Sequence, residues 1–406
     1  MRVAILHSSI SGFFPRFYAA LHASIVEQGN ECRLFVPQSK TNRRVAAEDK
    51  YIFGFRSNTF IHQKLYALTG LQDIFSIFST IALIHALKKY KADVLHCHLF
   101  NGKYICLPLL LSYAAKEKLP IVGTMHDCSA FTGRCAYYDE INCSRWQSGC
   151  GDCPQKQLYN PTWIDNSKLQ WQLRQKWAHK YQGVNLTIVT PSQWLSDEIG
   201  KSFLRHYMRI VIPNGIDIEQ FGSHQEACIA KQLPNDKKIV LGLAHAWEER
   251  KGLSVFKRLA KDLPSDYQVV LAGHLPEKIE NTISFPPTTD VNTLTTLYQN
   301  ASVFVNPTMA DNFPTTHLEA LACGTPVVTY QTGGSMEALD EHSGIAVPRG
   351  DYQALLAAVQ YVCENIEQYN SSACKERARL FSTTRYDEYV TLYKQVIAFS
   401  RSGDVA

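Results

Sequence analysis

The sequence lacks any long run of apolar residues. Its longest nearly apolar stretches lie around residues 75–87 and 104–115. Both are much shorter than the ~20 residues that a membrane-spanning helix needs. The first residues, MRVAILHSSISGFF, contain only a short apolar run before His7, too short for the core of an export signal. Because both features are missing, we expect a cytoplasmic protein whose thiols stay reduced.

The sequence also lacks a strong net charge. Its 41 Lys and Arg against 37 Asp and Glu give a formal charge of +4 over 406 residues. A dedicated nucleic-acid binder would usually contain a strongly basic domain, so we expect no nucleic-acid partner. A hydrophobic content of 45% with 19% charged residues is ordinary for a globular protein. The length favours two domains over one.

Short apolar runs alternate with longer amphipathic stretches, a pattern typical of parallel α/β folds. Predicted strands lie at residues 3–7, 33–36, 94–97, 121–125, 186–190, 210–212, 239–243, 268–272, 302–305 and 327–329. Predicted helices lie at residues 15–28, 73–90, 169–181, 251–261, 292–299, 315–322, 352–366 and 386–398. A polar stretch up to residue 238 indicates the domain linker. We therefore expect two doubly wound domains with ligands at the carboxyl ends of their strands.

The sharpest signal is the string NPTMADNFPTTHLEALACGTPVVTYQTGG at residues 306–334. A loop carries Asp311, and a proline opens the helix that follows. The N–H groups of Thr315 and Thr316 would be unpaired in its first turn, where the helix dipole favours phosphate oxygens. Glu319, one turn further in, could accept hydrogen bonds from ribose hydroxyls. The alternative is that Glu319 is an ordinary exposed helix residue and Asp311 an ordinary turn residue. That alternative explains each position taken alone, but it explains the whole string less well.

A second candidate is LAHAWEERKGL at residues 243–253. Arg250 and Lys251 lie where a strand ends and a helix begins, and two cations there can neutralise a diphosphate leaving group. In isolation the ordinary explanation is stronger, because Glu248 and Glu249 make the segment a mixed, solvated charge run.

The string LEALACGTPVV, followed by GG and preceded by an acid eight residues before Glu319, resembles the retaining family-4 glycosyltransferases of the GT-B fold. Further motifs occur in the family's order: DVLHCH (93–98), TMHD (124–127), TPSQWL (190–195), PNGID (213–217) and RKG (250–252). Each motif alone is weak, but together they cover nearly the whole chain and are highly specific.

The resemblance implies an α/β protein of the GT-B fold: two doubly wound, Rossmann-like domains facing across a cleft. It implies an acceptor-side domain at residues 1–215 with a cysteine-rich loop at 128–154, and a nucleotide-sugar-binding domain at 216–384. The C-terminal helix at 385–406 would return to the first domain. The implied reaction moves a sugar from a nucleoside-diphosphate sugar to a glycan or lipid-linked acceptor, with retention and no catalytic metal. Family members commonly build bacterial exopolysaccharide.

The family pattern assigns roles to individual residues. His126 would contact the donor sugar near the reacting centre, Asp311 would also contact the sugar, and Glu319 would contact the nucleotide ribose. Asp311 stands where the family usually has Glu, which is one methylene longer.

Two further positions depart from the family pattern. Ala246 occupies the place of the family's phosphate-binding Arg, and Arg250 could substitute for it beside Lys251. The first loop offers only Gly12 instead of a glycine pair, and we expect it to approach the donor phosphates or the acceptor.

Four cysteines follow His126 with the spacing C-x7-C-x6-C-x2-C, at Cys135, Cys143, Cys150 and Cys153. Four thiolates would close a tetrahedral structural zinc site, with no position open for catalysis. Reduced thiols packed under aromatic residues explain them equally well, and an iron–sulfur cluster is a distant third. The segment lacks the H-x-E and P-C-x2-C signatures of a zinc deaminase.

Three further hypotheses stay open. Residues 51–91 are rich in aromatic and basic residues, which would suit peripheral contact with the inner membrane surface. An ordinary amphipathic helix at 73–90 explains them better. A nucleotide-sugar epimerase or hydrolase, or a non-catalytic nucleotide-sugar-binding subunit, could use the same scaffold.

Overall fold

The structure is a computed structural model that describes residues 1–98, 102–158, 161–223 and 228–402. It divides the chain into two compact units. The first unit comprises Met1–Pro213 and Arg385–Ala406, and the second comprises Asn214–Thr384. The chain thus leaves the first unit once and returns to it near its end.

Within the described residues, the first unit contains a sheet of seven parallel strands in the order β3-β2-β1-β4-β5-β6-β7. The strands are β1 (Arg2–Leu6), β2 (Glu31–Pro37), β3 (Lys50–Phe53), β4 (Val94–His98), β5 (Ile121–Thr124), β6 (Leu186–Thr190) and β7 (Met208–Val211). The central strands are continuously buried, as expected of a parallel sheet covered on both faces. Leu6 pairs with Cys97 and His98 with Thr124, so β1, β4 and β5 end at nearly the same level.

The helices of this part of the chain are α1 (Phe14–Glu27), α2 (Lys40–Arg44), α3 (Arg56–Thr69), α4 (Ile77–Tyr90), α5 (Leu107–Glu117), α6 (Ser167–Lys180) and α7 (Gln193–Gly200). The helix predicted at 73–90 begins four residues late, at Ile77. Asp73 is instead buried outside the helix, where its carboxylate accepts hydrogen bonds from Arg174 Nε at 2.6 Å and Gln170 Nε2 at 2.7 Å. A long-range ion pair therefore overrides the local helical pattern.

Within the described residues, the second unit contains a sheet of six parallel strands in the order β10-β9-β8-β11-β12-β13. The strands are β8 (Lys238–Ala246), β9 (Tyr267–His274), β10 (Thr282–Phe285), β11 (Val303–Asn306), β12 (Val327–Tyr330) and β13 (Gly344–Val347). The helices are α8 (Ile218–Gly222), α9 (Leu253–Asp262), α10 (Val291–Gln299), α11 (Thr315–Ala322), α12 (Tyr352–Glu364) and α13 (Ser371–Arg379). The strands β10 and β13 were missed in the sequence analysis because their runs are short and partly exposed.

The helix predicted at 251–261 begins two residues late, at Leu253. Gly252 has a φ of 82°, a left-handed conformation that suits glycine, and it separates a short 3-10 turn at Glu249–Lys251 from α9. A Cβ atom at Gly252 would lie 2.4 Å from Cγ of Pro307. The glycine thus allows the start of α9 to approach the loop after β11.

The last helix, α14 (Asp387–Ser402), belongs to the first unit and contacts α1. Tyr389 and Tyr393 are completely buried in the same apolar cluster as Phe17 and Leu21. The predicted return of the C-terminal helix to the first domain is confirmed. Among the residues that the structure describes, no helix is both long and apolar enough to cross a membrane.

Candidate active site

The loop after β11 brings Asp311 against Lys251 in the second unit. Lys251 Nζ donates to Asp311 Oδ2 at 2.8 Å, and both side chains are partly exposed. Burial by itself would raise the pKa of Asp311, but the charge and hydrogen bond of Lys251, with the charge of Arg250, hold it below its usual value. Asp311 is therefore an ionised carboxylate at neutral pH, held by a cation.

Arg250 connects the turn before α9 to the same loop. Its Nη1 donates to the carbonyl of Ala310 at 3.2 Å, and its own carbonyl accepts the N–H of Met309 at 2.8 Å. Its Nε and Nη2 donate to Glu248 Oε1 at 3.1 and 2.7 Å. The structure thus brings Arg250, Lys251 and Asp311 together, as predicted, and it adds Glu248 as a partner of the arginine.

Thr315 and Thr316 are the first two residues of α11, and Pro314 precedes them without a side-chain cap. Both threonines are half-buried. Glu319 lies one turn further along and is only 7% exposed. Tyr298 on α10 donates a hydrogen bond to Glu319 Oε2 at 3.1 Å. Glu319 is therefore a largely buried acid with a tyrosine partner, which argues against the alternative of an exposed helix residue. Its predicted contact with the ribose hydroxyls stays a prediction.

His317 is a residue that the sequence does not single out, although it connects the segments on either side of α11. It is completely buried, with Nδ1 3.0 Å from the carbonyl of Ser335 and Nε2 2.8 Å from Nδ2 of Asn306. Burial lowers the pKa of His317 to about 4, so the ring is neutral. These contacts link the end of β11, the start of α11 and the loop that contains the glycine pair. Its only signal in the sequence is its position on the apolar side of the predicted helix.

In the first unit, histidines collect at the carboxyl edge of the sheet. His98 Nδ1 and His126 Nε2 are 3.0 Å apart, and the His7 ring lies 6.0 Å from the His98 ring. Phe14 stacks on His7 with ring centroids 3.6 Å apart. His126 is half-buried and follows β5, which is the place that the sequence predicts. His98 Nε2 is buried without a hydrogen-bond partner among the described residues.

The pKa values of these histidines are lowered. Burial, with the nearby charge of His126, lowers the pKa of His7 to about 3, and burial lowers that of His126 to about 4. The pKa values of His96 and His98 fall well below 6.5 for the same reason. The cluster is therefore neutral at physiological pH, and its rings can donate and accept hydrogen bonds without carrying charge.

A second hydrogen-bonded chain lies beneath this cluster. His96 bonds to Tyr393 Oη at 2.5 Å and to Thr124 Oγ1 at 2.7 Å, and Thr124 Oγ1 lies 3.1 Å from Tyr389 Oη. The rings of His96 and His98 are 4.1 Å apart. The motif DVLHCH thus places one histidine at the edge and one against α14.

Gly12 lies in the exposed turn between β1 and α1, with a φ of 64° and open space around it. The turn is at the same carboxyl edge as the histidines, because it follows β1. Its predicted contact with donor phosphates or acceptor stays a prediction.

The four cysteines pack beside Trp146 and Phe131 in a loop that contains only short 3-10 turns. The Sγ atoms of Cys135 and Cys153 are 3.9 Å apart, and Cys150 Sγ accepts the N–H of Gly133 at 3.1 Å. Across residues 1–98, 102–158, 161–223 and 228–402, no three His, Cys, Asp or Glu side chains are arranged to hold a metal ion. The structural zinc predicted for Cys135, Cys143, Cys150 and Cys153 stays a prediction.

Two Rossmann-like units with parallel sheets define a protein of the GT-B class. Solved structures agree with this architecture. A sucrose-phosphate synthase from Thermosynechococcus elongatus superposes with a TM-score of 0.70 at 16% identity, covering 98% of this chain and 99% of that one. Anabaena Alr3699/HepE in complex with UDP-glucose gives a TM-score of 0.62 at 14% identity, covering 100% of both chains. Likeness at these identities shows the fold.

The sequence itself matches two family models. One, described as Glycosyltransferase Family 4, covers residues 16–220, and one described as Glycosyl transferases group 1 covers residues 224–381. The chain therefore belongs to glycosyltransferase family 4, which confirms the resemblance. A relative from Escherichia coli (strain K12), provisionally named the colanic acid biosynthesis glycosyl transferase WcaC, is 24% identical over 75% of this chain and 76% of its own.

Proposed function

We propose that this glycosyltransferase moves a sugar from a nucleoside-diphosphate sugar to a glycan or lipid-linked acceptor in bacterial exopolysaccharide synthesis. The transfer proceeds with retention at the anomeric carbon and without a catalytic metal. The complex of Anabaena HepE with UDP-glucose supports a nucleotide-sugar donor, and the name of the E. coli relative supports a polysaccharide product.

One observation carries the proposal: the contact between Lys251 and Asp311, beside Arg250 and before the first turn of α11. A departing diphosphate gains negative charge, which Lys251, Arg250 and the N–H groups of Thr315 and Thr316 would stabilise. Asp311, already ionised, would accept hydrogen bonds from sugar hydroxyls. These groups together supply what a metal ion supplies elsewhere, namely positive charge at the leaving group.

His126 belongs to the reacting centre in this proposal. Its lowered pKa keeps the imidazole neutral, so it would position the sugar by hydrogen bonding and not by charge. In the proposed step the acceptor oxygen forms its bond to the anomeric carbon on the face that the leaving phosphate departs from. The bond from that carbon to the phosphate oxygen breaks, and the acceptor's proton passes to the leaving phosphate.

Calorimetric titration with UDP, GDP and ADP in EDTA tests the donor site. We expect one diphosphate to bind tightly even with EDTA present, because none of the groups that we assign to the diphosphate is a metal ion. A circular dichroism spectrum of the same sample checks that EDTA leaves the chain folded. No binding to a folded protein would contradict the proposal.

Product stereochemistry tests the retaining step. The ¹H coupling constant of the anomeric proton, measured by NMR on the first-formed product, should show the configuration of the donor. An inverted product would exclude retention. Donor turnover without acceptor at the rate seen with acceptor would favour the hydrolase or epimerase alternative.

The structural zinc is a separate proposal, and elemental analysis of the purified protein tests it. Zn–S bonds of ~2.3 Å place the sulfurs of a tetrahedral site about 3.8 Å apart. Cys135 and Cys153 already have nearly that spacing, but among the described residues no third Cys, His, Asp or Glu completes a group that could hold a metal ion. About one zinc per chain would support the site, whereas a folded, metal-free protein would leave four plain thiols.

A further inference from the structure

Four cations surround an open pocket in the first unit that the proposed reaction does not use. Lys40, Arg43, Arg44 and Arg56 line a volume of about 450 Å³. The first three belong to α2, which follows β2, and Arg56 begins α3, which follows β3. Because the sheet is parallel, this pocket lies at the carboxyl edge, after β2 and β3, whereas His7, His98 and His126 follow the neighbouring strands β1, β4 and β5.

The helix α3 extends from this pocket with an apolar exposed face. Phe60, Ile61 and Leu68 are 59%, 50% and 51% exposed, where a surface helix usually has polar residues. Lys64, between them on the helix, has its Nζ 5.5 Å from the centroid of the Phe60 ring. The face therefore combines apolar side chains with a cation.

The neighbouring elements continue this apolar surface. Asn58 Nδ2 donates to Ser79 Oγ at 3.3 Å, which joins α3 to the start of α4. There Phe78 is 69% exposed, and Ile77 and Ile81 are 51% exposed. At the other end of α3, Trp163 is 82% exposed, and its backbone N–H donates to the carbonyl of Ala67 at 2.8 Å.

We define the docking face as the four cations together with the exposed apolar residues of α3 and α4 and Trp163. Exposed apolar residues gathered on adjoining helices mark an interaction surface, in contrast to single ones scattered over a protein.

The cations of the docking face outnumber the acids near it. Arg56 and Lys64 lie on α3, beside Lys40, Arg43 and Arg44 of α2. In residues 50–91 the single acid, Asp73, is buried against Arg174. The exposed carboxylates Glu48 and Asp49 precede β3 and so lie at the opposite, amino edge of the sheet, where Lys88 also pairs with Glu117 at 3.0 Å. An aromatic and cationic surface is complementary to an anionic lipid interface.

We infer that the docking face binds the surface of a bilayer that contains anionic phospholipids. The four-cation pocket takes lipid phosphate groups, and Phe60 and Phe78 enter the interface between headgroups and acyl chains. The inference deepens the proposed function by naming the membrane as the place where a lipid-linked acceptor is met. Only the lipid-linked acceptor in this inference rests on the proposed function. Vesicle binding itself requires no sugar transfer.

Co-sedimentation of the full chain with vesicles tests the inference. We expect binding to phosphatidylcholine vesicles that contain phosphatidylglycerol, no binding to phosphatidylcholine alone, and weakening as salt is raised. Replacing Arg43, Arg44 and Arg56 together by Gln should weaken binding roughly tenfold or more, since each cation near an anionic surface contributes. F60S together with F78S should weaken it as well.

Matched controls lie on the second unit. Replacing the exposed Lys237, Lys261 and Lys278 together by Gln makes the same change in net charge, and Ile366→Ser removes an exposed apolar side chain. Both controls should bind vesicles as the natural sequence does. The inference is wrong if the unaltered protein stays in the supernatant at low salt, or if the arginine triple variant binds as its lysine control does.

Calorimetry separates two further outcomes. A pocket for free phosphate would bind inorganic phosphate while the arginine triple variant still sedimented with vesicles, which would overturn the inference. Failure of nucleotide binding would instead count against the proposed function, because the donor residues belong to the second unit.

Discussion

Lys251 and Asp311 are joined by a single ion pair, which makes the lysine a direct test of charge stabilisation. We expect K251M to lower kcat roughly 10²- to 10³-fold, the usual loss when one group that stabilises developing negative charge is removed. Methionine keeps most of the side-chain stem, so the packing beside Gly252 should survive. Lys257, which pairs with Glu277 on the exposed side of α9, provides the control. K257M should transfer sugar at the unaltered rate, and equal kinetics for both variants would contradict the role of Lys251.

Glu319 combines an expected role with an unexpected environment. If its carboxylate holds the ribose hydroxyls, Glu319→Ala should weaken nucleotide binding by roughly 1.5–3 kcal/mol. Its hydrogen bond from Tyr298 makes a structural explanation possible, so Y298F is the control. We expect Y298F to lower stability and to leave nucleotide affinity nearly unchanged. Calorimetry with the diphosphate that binds and urea unfolding of both variants measure the two effects. Equal losses of affinity would assign Glu319 a packing role.

Predictability from the sequence differed between these residues for a physical reason. Arg250, Lys251 and Asp311 follow strand ends in a parallel sheet, so strand prediction alone brings them to one edge. The burial of Glu319 and the contacts of His317 depend on α10 and on the loop at residues 331–335, which are distant in sequence. A local sequence pattern does not identify partners that are distant in sequence.

At the scale of elements, the carboxyl edge of the first sheet should make this unit sensitive to acid. The folded pKa values of His7 and His96 lie below the unfolded value of about 6.5, so between these limits the unfolded chain binds more protons. Their stability contribution is therefore complete above about pH 6.5 and is lost as the pH falls below it. Each such histidine should add up to about 1.4 kcal/mol per pH unit to the slope.

Urea unfolding at several pH values from neutral to mildly acidic measures this slope. H96Q should reduce it, whereas H85Q, at an exposed position of α4, should leave it unchanged. A slope that is the same in all three proteins would show that His96 is not buried in its neutral form.

Element boundaries were wrong where tertiary contacts replace local ones. The start of α4 moved because Asp73 pairs with Arg174, which is 101 residues away. The same arginine donates to the carbonyls of Ser129 and Thr132, so the ion pair that shortens the helix also anchors the cysteine-rich loop. The α/β class, in contrast, follows from short buried runs that alternate with amphipathic stretches, which is why it could be predicted although β3, β10 and β13 were missed.

At the scale of the whole molecule, the return of α14 means that the first unit is completed by the last part of the chain. The buried apolar residues of this helix are Tyr389, Val390, Leu392, Tyr393, Val396 and Ile397. Each contributes roughly 1.5–3 kcal/mol by burial. Their sum is at least as large as the ~5–15 kcal/mol net stability of an entire domain. The first unit should therefore not fold stably without α14.

Ending the chain after Thr384 tests this dependence, with a chain ended after Ser402 as the control. The apolar clusters of the second unit contain no residue of α14, so the shorter chain should still bind the nucleoside diphosphate. It should lose sugar transfer and the unfolding transition of the first unit, because His96 would lose its Tyr393 partner together with the surrounding core. The control should keep all three properties. Sugar transfer by the chain that ends at Thr384 would show that the histidine edge can form without the returning helix.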